Sequence, residues 1–162
     1  MLNMRTSFIL ATVMTVSLTA CSTTKKEEAP APAPAAVKPA EPQFAPNAMI
    51  QKLPEQTEVH ISADELQKIV DNPKSKTIII DARRPAEYAE GHIPRAVNLD
   101  AFTATEEDLA KTFPNKKANY VVYCAKGLRA TAMHDAMVER GYKNVKTLGG
   151  LQTHWVRTIV KD

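Results

Sequence analysis

The sequence of 162 residues lacks several of the patterns by which common function classes are recognised. It holds only five glycines, with no glycine-rich phosphate loop, so no nucleotide site is predicted. His60, His134 and His154 show no metal-ligand spacing, and neither a metal nor an organic cofactor is predicted. The formal net charge of +3 is too small to indicate a nucleic-acid partner, and no internal repeat is visible. What remains to carry chemistry is a pair of cysteines.

The first cysteine, Cys21, follows an apolar segment near the N-terminus. Residues 8–18 are too few to span a bilayer as a mature helix, and the small residue Ala20 precedes the cysteine. Residues 1–20 resemble a bacterial lipoprotein signal peptide, whose removal leaves Cys21 as a lipidated N-terminus. Ser22 is not the aspartate that retains such proteins at the inner membrane, so the resemblance implies an outer-membrane anchor facing the periplasm. The alternatives are an ordinary signal peptide cleaved nearby and an uncleaved anchor.

A proline-rich segment separates this N-terminus from the rest of the chain. Six of the eleven prolines lie between residues 29 and 46, among alanines, and such a composition cannot bury a core. Residues 21–54 are therefore predicted to be a lipidated N-terminus and disordered linker, and residues 55–162 a single folded domain. With Cys21 lipidated, Cys124 is the only free thiol, and no intramolecular disulfide is expected.

Strand and helix patterns alternate through residues 55–162. Short apolar runs predict strands at residues 59–61, 77–81, 96–99, 120–123 and 145–148. Capping and turn residues predict helices at residues 62–70, 85–90, 103–112 and 129–140, with a further helix bearing Trp155. The capping boxes are placed at residues 62–65 and 103–106. This order predicts an α/β fold with a largely parallel sheet and helices on both faces, in which ligands bind at the carboxyl ends of the strands.

The second cysteine lies at such a strand end. Cys124 follows the apolar strand at residues 120–123, and a short loop with Gly127 leads from it into a helix. Backbone N–H groups at a helix N-terminus favour negative charge, and Lys126 and Arg129 add cations. The thiolate is the nucleophilic form of cysteine, so the pattern predicts a reactive residue. The alternative is an inert cysteine buried at a strand end.

Three ordered motifs of this chain resemble those of the rhodanese family, over roughly residues 57–160. Residues 81–99 carry an aspartate and arginine, then Glu-Tyr, Gly-His-Ile and Ala-Val-Asn. The loop from Cys124 to Arg129 is the second motif, and Leu-Gly-Gly at residues 148–150, followed by Trp155, is the third. One departure, Pro94-Arg95, is expected to change a turn and not the chemistry. The resemblance implies a single rhodanese-like domain.

The resemblance further implies sulfur transfer through Cys124. Its thiolate would take the outer sulfur of an anionic donor such as thiosulfate and pass it, as a persulfide, to cyanide or a thiol. Lys126 is the cation expected to contact the donor, whereas Arg129 either does so too or braces the loop through Glu87. The expected binding residues are those of the loop, namely Ala125, Lys126, Gly127, Leu128, Arg129 and Ala130.

Other residues of the first motif are expected to support the site. Asp81, Arg83 and Glu87 are predicted to form hydrogen bonds and ion pairs, and His92 to be structural. Two rival functions stay open. Cysteine phosphatases and arsenate reductases use a comparable loop, but the phosphatase loop has five residues between cysteine and arginine where this chain has four. A tethered module that holds a persulfide or docks a partner without catalysis is the other.

Overall fold

Four parallel strands form the centre of the structure, a computed structural model that describes residues 43–161. The strand order is β2-β1-β3-β4 and every neighbouring pair is parallel, which confirms the predicted α/β fold. The predicted signal peptide, Cys21 and most of the predicted linker lie outside the described residues. The elements in chain order are α1 (Ala63–Asp71), β1 (Ile78–Asp81), α2 (Pro85–Glu90), β2 (Ala96–Asn98), α3 (Glu106–Thr112), β3 (Asn119–Cys124), α4 (Leu128–Glu139), β4 (Asn144–Gly150) and α5 (Leu151–His154).

The central strands β1 and β3 are mostly apolar because both faces of the sheet are covered there. Alternate side chains of a strand point to opposite faces. On one face Ile79 and Val121 belong to a cluster with Leu66 of α1. On the other face Ile80 and Val122 belong to a larger cluster, to which α3 and α4 contribute Leu109, Met133 and Met137. The continuous apolar runs in β1 and β3 are therefore those of a buried parallel sheet.

Local capping chemistry starts most of the helices. Ser62 and Glu65 form the predicted capping box of α1, and Pro85 opens α2 at the predicted position. The box predicted at residues 103–106 is wrong, because the helix begins later. Thr105 and Asp108 form the box there, and the N–H of Thr103 instead closes a turn by donating to the carbonyl oxygen of Asp100.

Within the described residues, no helix combines the length and the apolar character that a membrane crossing requires.

The strand predicted at residues 59–61 is also wrong. The N–H groups of His60 and Ile61 both donate to the carbonyl oxygen of Thr147, at 2.8 and 3.2 Å. A parallel ladder needs successive pairings along both chains, and two donors that meet one carbonyl cannot build it. This segment therefore rests against β4 without joining the sheet.

Packed structure begins earlier than the predicted boundary at residue 55. Ile50 is 4% exposed and belongs to the larger core cluster, with Phe44, Met49 and Leu53 packed against it. The N–H of Met49 donates to the carbonyl oxygen of Ala104 at 2.8 Å. The predicted boundary lies too far along the chain, because the proline content of the segment outweighs its few apolar side chains in the sequence pattern. The C-terminal part of the predicted linker thus belongs to the folded domain.

Candidate active site

Cys124 ends β3 at the carboxyl edge of the sheet and is buried beneath the loop that follows it. The N–H of Gly127 donates to its Sγ, with an N–S distance of 3.0 Å. The next helix, α4, begins at Leu128, and its first intrahelical bond runs from the N–H of Thr131 to the carbonyl of Gly127. The N–H groups of residues 128–130 therefore have no acceptor within the helix. The loop and α4 provide a local environment that favours an anion at Cys124.

Gly127 allows a second segment to lie against this loop. Its φ is +109°, and a Cβ built on it would lie 2.0 Å from Cγ2 of Thr57. The hydroxyl of Thr57 donates to the carbonyl oxygen of Lys126 at 3.4 Å. The residues before α1 thus cover part of the loop, a contact that is not predicted from the sequence. No local pattern marks Thr57, because its partner lies some seventy residues away.

Gly150 of the third motif makes room for the loop at the end of β4, whereas Gly149 faces Val59 and His154. Gly150 pairs with Cys124 in the sheet register. A Cβ on Gly150 would lie 2.7 Å from the carbonyl oxygen of Ala125 and 2.8 Å from Cα of Lys126. The N–H of Gln152 then donates to that same carbonyl of Ala125 at 3.1 Å. Gly150 therefore lets the loop backbone pass close to the end of β4, and the N–H of Gln152 holds it there.

Arg129 is braced by Glu87. Its Nη1 and Nη2 donate to the two carboxylate oxygens of Glu87, at 2.7 and 2.9 Å. The hydrogen bonds from Arg129 lower the pKa of Glu87 below its usual range, aided by the N–H of Arg84. Burial opposes the charge of Arg129, but the carboxylate of Glu87, with the nearby Cys124, raises the pKa of Arg129. The structure thus shows the bracing pair and also places the guanidinium beside the sulfur.

Other cations stand near the mouth of the site. The side chain of Lys126 is exposed and forms no ion pair with any of residues 43–161. The guanidinium carbons of Arg84 and Arg129 lie 5.0 and 5.4 Å from the ring centre of Phe102. Neither Arg84 nor Phe102 is among the site residues predicted from the sequence. Their positions just after β1 and β2, at the ligand-binding edge of a parallel sheet, were the available signal.

Asp81 and Arg83 form a buried network under the site. Nη2 of Arg83 lies 2.6 Å from Oδ2 of Asp81 and also donates to the carbonyl oxygen of Gly91 at 2.7 Å. The hydroxyl of Tyr123 donates to Oδ2 of Asp81 at 2.7 Å and accepts from the N–H of Ile93. Burial, with the charge of Asp81, raises the pKa of Tyr123, so its phenol remains a donor. This network ties β1 and β3 to the turn after α2.

His92 lies at that turn, at the other end of α2 from Arg84. It is buried, its ring stacks on Tyr88 with centroids 3.7 Å apart, and its backbone pairs with Val160. Its Nδ1 lies 3.1 Å from the carbonyl oxygen of Tyr88. These contacts hold the C-terminal segment against the turn, in keeping with a structural residue.

The four-stranded parallel sheet, with a buried cysteine at its carboxyl edge and a loop leading from it into a helix, defines an α/β domain with a candidate site at the strand ends. The rhodanese-like domain family model matches residues 62–157. That match spans more than half of the chain, and the chain belongs to the rhodanese-like family. The matched range includes the three motifs noted in the sequence.

The curated relatives include sulfurtransferases. The thiosulfate:glutathione sulfurtransferase of Saccharomyces cerevisiae is 27% identical over 59% of this chain and 76% of its own length. The tRNA uridine(34) hydroxylase of Photorhabdus laumondii is 31% identical over 60% of this chain, but the match spans only 28% of the hydroxylase. The crystal structure of the Saccharomyces cerevisiae single-domain sulfurtransferase RDL2 superposes with a TM-score of 0.50 and 23% identity, covering 64% of this chain and 92% of that one. The last likeness concerns the fold alone.

Proposed function

We propose that this protein transfers a sulfane sulfur from a small anionic donor such as thiosulfate to a thiol or cyanide, through a persulfide on Cys124. The observation that carries the proposal is the hydrogen bond from the N–H of Gly127 to Sγ of Cys124, directly before the N-terminus of α4. Backbone donors fixed before the reaction stabilise charge without reorganisation. Membership of the rhodanese-like family and the sulfurtransferases among its relatives support the same chemistry.

The reaction consists of two displacements at sulfur. The Cys124 thiolate attacks the outer sulfur of thiosulfate, the S–S bond of the donor breaks, and its electron pair leaves with sulfite. The resulting persulfide anion is stabilised by the amides of the loop and of residues 128–130. Cyanide or a thiolate then attacks the outer sulfur, giving thiocyanate or a new persulfide, and the Cys124 thiolate is restored. Ala125, Leu128 and Ala130 contribute through their backbone, whereas Arg129, held by Glu87, stands beside the reacting sulfur.

Turnover measured with contrasting substrates tests this proposal against its rivals. We expect thiosulfate or polysulfide, with cyanide or glutathione as acceptor, to be turned over, and p-nitrophenyl phosphate and arsenate not to be. Turnover of the phosphate ester without sulfur transfer would instead support the phosphatase reading. Persulfide formation without transfer to any acceptor would support the non-catalytic module.

The exposed ammonium of Lys126 is expected to select thiosulfate among donors. Lys126→Ala removes one charge-assisted contact, worth about 1.5–3 kcal/mol, so kcat/KM for thiosulfate should fall about ten- to a hundredfold. An uncharged organic polysulfide should be affected much less, because it offers no sulfonate-like oxygens. Steady-state kinetics with both donors measure the difference.

Lys117→Ala is the matched control for this substitution. It removes the same charge from an exposed lysine two residues before β3, at the opposite end of the strand from Cys124. Its kinetics should equal those of the wild type for both donors. Equal losses for both donors in Lys126→Ala would show that Lys126 makes no contact specific to thiosulfate.

We further propose that the protein is anchored through lipidated Cys21 to the bacterial envelope, in the outer membrane facing the periplasm. The support is the apolar N-terminal segment that ends in Ala20-Cys21. Cells grown with an alkyne-bearing fatty acid should yield labelled protein in the membrane fraction. Cys21→Ala should abolish the label, while Cys124→Ser, which leaves the other cysteine in place, should retain it. Unlabelled wild-type protein in the cytosol, with residues 1–20 still attached, would contradict the proposal.

A further inference from the structure

Two histidines and two carboxylates meet beside the middle of α4. They are Glu58, His60, His134 and Asp135, called here the histidine–carboxylate cluster. Potential ligand atoms of Glu58, His134 and Asp135 all lie within 4.8 Å of one another. His60 joins through Glu58, with Nε2 at 3.4 Å from Oε2, and its ring centre lies 4.9 Å from that of His134. We propose that this cluster binds a divalent transition-metal ion, best matched by Zn²⁺.

The spacing of the cluster suits a four-coordinate ion. Bonds of about 2.1 Å at tetrahedral angles place ligand atoms about 3.4 Å apart. The separation of His60 and Glu58 already has this value, while Nδ1 of His134 and Oδ1 of Asp135 stand 2.8 Å apart. The ligand atoms of Glu58, His134 and Asp135 are no more than 4.8 Å apart, so rotations that move the side-chain ends by about an ångström bring these three toward tetrahedral spacing, and His60 adjoins them through Glu58. Three of the four side chains are more than a third exposed, so these rotations meet little resistance.

The hydrogen bonds of Thr147 prepare His60 as a ligand. The single hydroxyl proton of this buried threonine goes to the carbonyl oxygen of Glu58. Its oxygen therefore accepts from Nδ1–H of His60, at 3.1 Å. In that tautomer the lone pair of His60 Nε2 faces the carboxylate of Glu58. Both groups are then electron-pair donors with no proton between them, an arrangement that a metal ion would satisfy. Metal-bound histidines in proteins are oriented in this way by a partner on the other ring nitrogen.

The charge and chemistry of the cluster indicate which ion fits. Two carboxylates and two neutral imidazoles neutralise a dication, and Glu55 and Glu139 line the adjoining groove. Imidazole ligands favour Zn²⁺ and its transition-metal neighbours, whereas Mg²⁺ and Ca²⁺ prefer oxygen alone. A bound ion would join the segment before α1 to α4. The same segment carries Thr57, which lies against Gly127, so the ion would also fix the cover of the catalytic loop.

Zinc binding to the full chain tests the proposal independently of sulfur transfer. Both cysteines are first replaced, as Cys21→Ser and Cys124→Ser, so that no thiolate competes for the metal. Equilibrium dialysis against micromolar Zn²⁺, followed by elemental analysis, should show one retained ion per chain, with a raised melting temperature. In this background, His60→Gln and His134→Gln should each weaken binding about a hundredfold, and Thr147→Val about ten- to a hundredfold.

Two further variants keep the result interpretable. His154→Gln replaces a histidine outside the cluster and should leave zinc retention unchanged. Asp135→Asn alters an exposed position, so it should weaken binding even if His134→Gln disturbs folding, which circular dichroism reports. The absence of a retained ion, or retention unchanged in both His60→Gln and His134→Gln, would overturn the proposal. Because no readout here depends on turnover, a failed sulfurtransferase assay leaves this result unaffected.

Discussion

Replacing Cys124 by serine is expected to abolish persulfide formation. After incubation with thiosulfate, the intact mass of the wild-type protein should increase by one sulfur atom, and the mass of Cys124→Ser should not change. Turnover should fall by at least about a thousandfold, because the substitution removes the nucleophile on which both displacements depend. Serine has nearly the same shape as cysteine and can still accept the hydrogen bond from the N–H of Gly127, so the loop should keep its conformation.

Cys21→Ser is the matched control, because it removes the other cysteine and leaves the site intact. This variant should still gain one sulfur atom, and dithiothreitol should remove that atom again. Wild-type protein whose mass stays unchanged after several sulfane donors would contradict the proposed sulfur transfer. A sulfur atom gained equally by Cys124→Ser would place the reactive thiol elsewhere.

Asp81→Asn is expected to cause a large loss of stability, because it breaks a buried ion pair from one side. The side chains of Asp81 and Arg83 are 0% and 7% exposed, and the substitution leaves the guanidinium charge buried without its counter-ion. Breaking a buried pair from one side costs about 3–5 kcal/mol. Urea denaturation followed by circular dichroism measures the change in the free energy of unfolding.

An exposed ion pair supplies the comparison. Glu106 is 69% exposed where it meets Arg140, so Glu106→Gln should cost about 1 kcal/mol or less. Adding Arg83→Met to Asp81→Asn should cost less than the sum of the two single changes, because the unpaired charge is removed. A loss for Asp81→Asn as small as that for Glu106→Gln would show that the buried pair contributes little to stability.

Strands and helices were predictable where neighbouring residues alone determine them. The run of isoleucines in β1, the Ser62–Glu65 capping box and Pro85 at the start of α2 act through contacts within a few positions. Prediction failed where a local pattern was overridden by a hydrogen bond that the pattern does not include. Residues 59–61 alternate like a strand, but the amides of His60 and Ile61 share one carbonyl of β4. The capping box predicted at residues 103–106 does not form, because the N–H of Thr103 donates to the carbonyl oxygen of Asp100 in a turn and the helix begins later.

The two candidate roles of Arg129 show a different limit. The sequence places the cation Arg129 close to Cys124 along the chain, but it does not show whether the carboxylate of Glu87 contacts Arg129. Glu87 follows β1 and Arg129 follows β3, and these strands are neighbours in the sheet. Their loops therefore leave the same edge side by side, and the bidentate pair forms across them. The pairing of strands, which no local pattern encodes, decided this contact.

The sequence by itself determined the cysteine loop, because the strand end, the glycine and the helix start all lie within a few residues of Cys124. Their backbone N–H groups favour an anion at the cysteine without any contact from a distant segment. It determined the alternating α/β order for the same reason. Only the tertiary structure decided that Thr57 lies on Gly127, and that His60 and His134 join one cluster. Spacing rules for metal ligands assume that the ligands share a turn or a helix, whereas these two histidines come from segments more than seventy residues apart. They meet because β4 and α4 pack together and the segment before α1 is held on both, through Thr147 and Thr131.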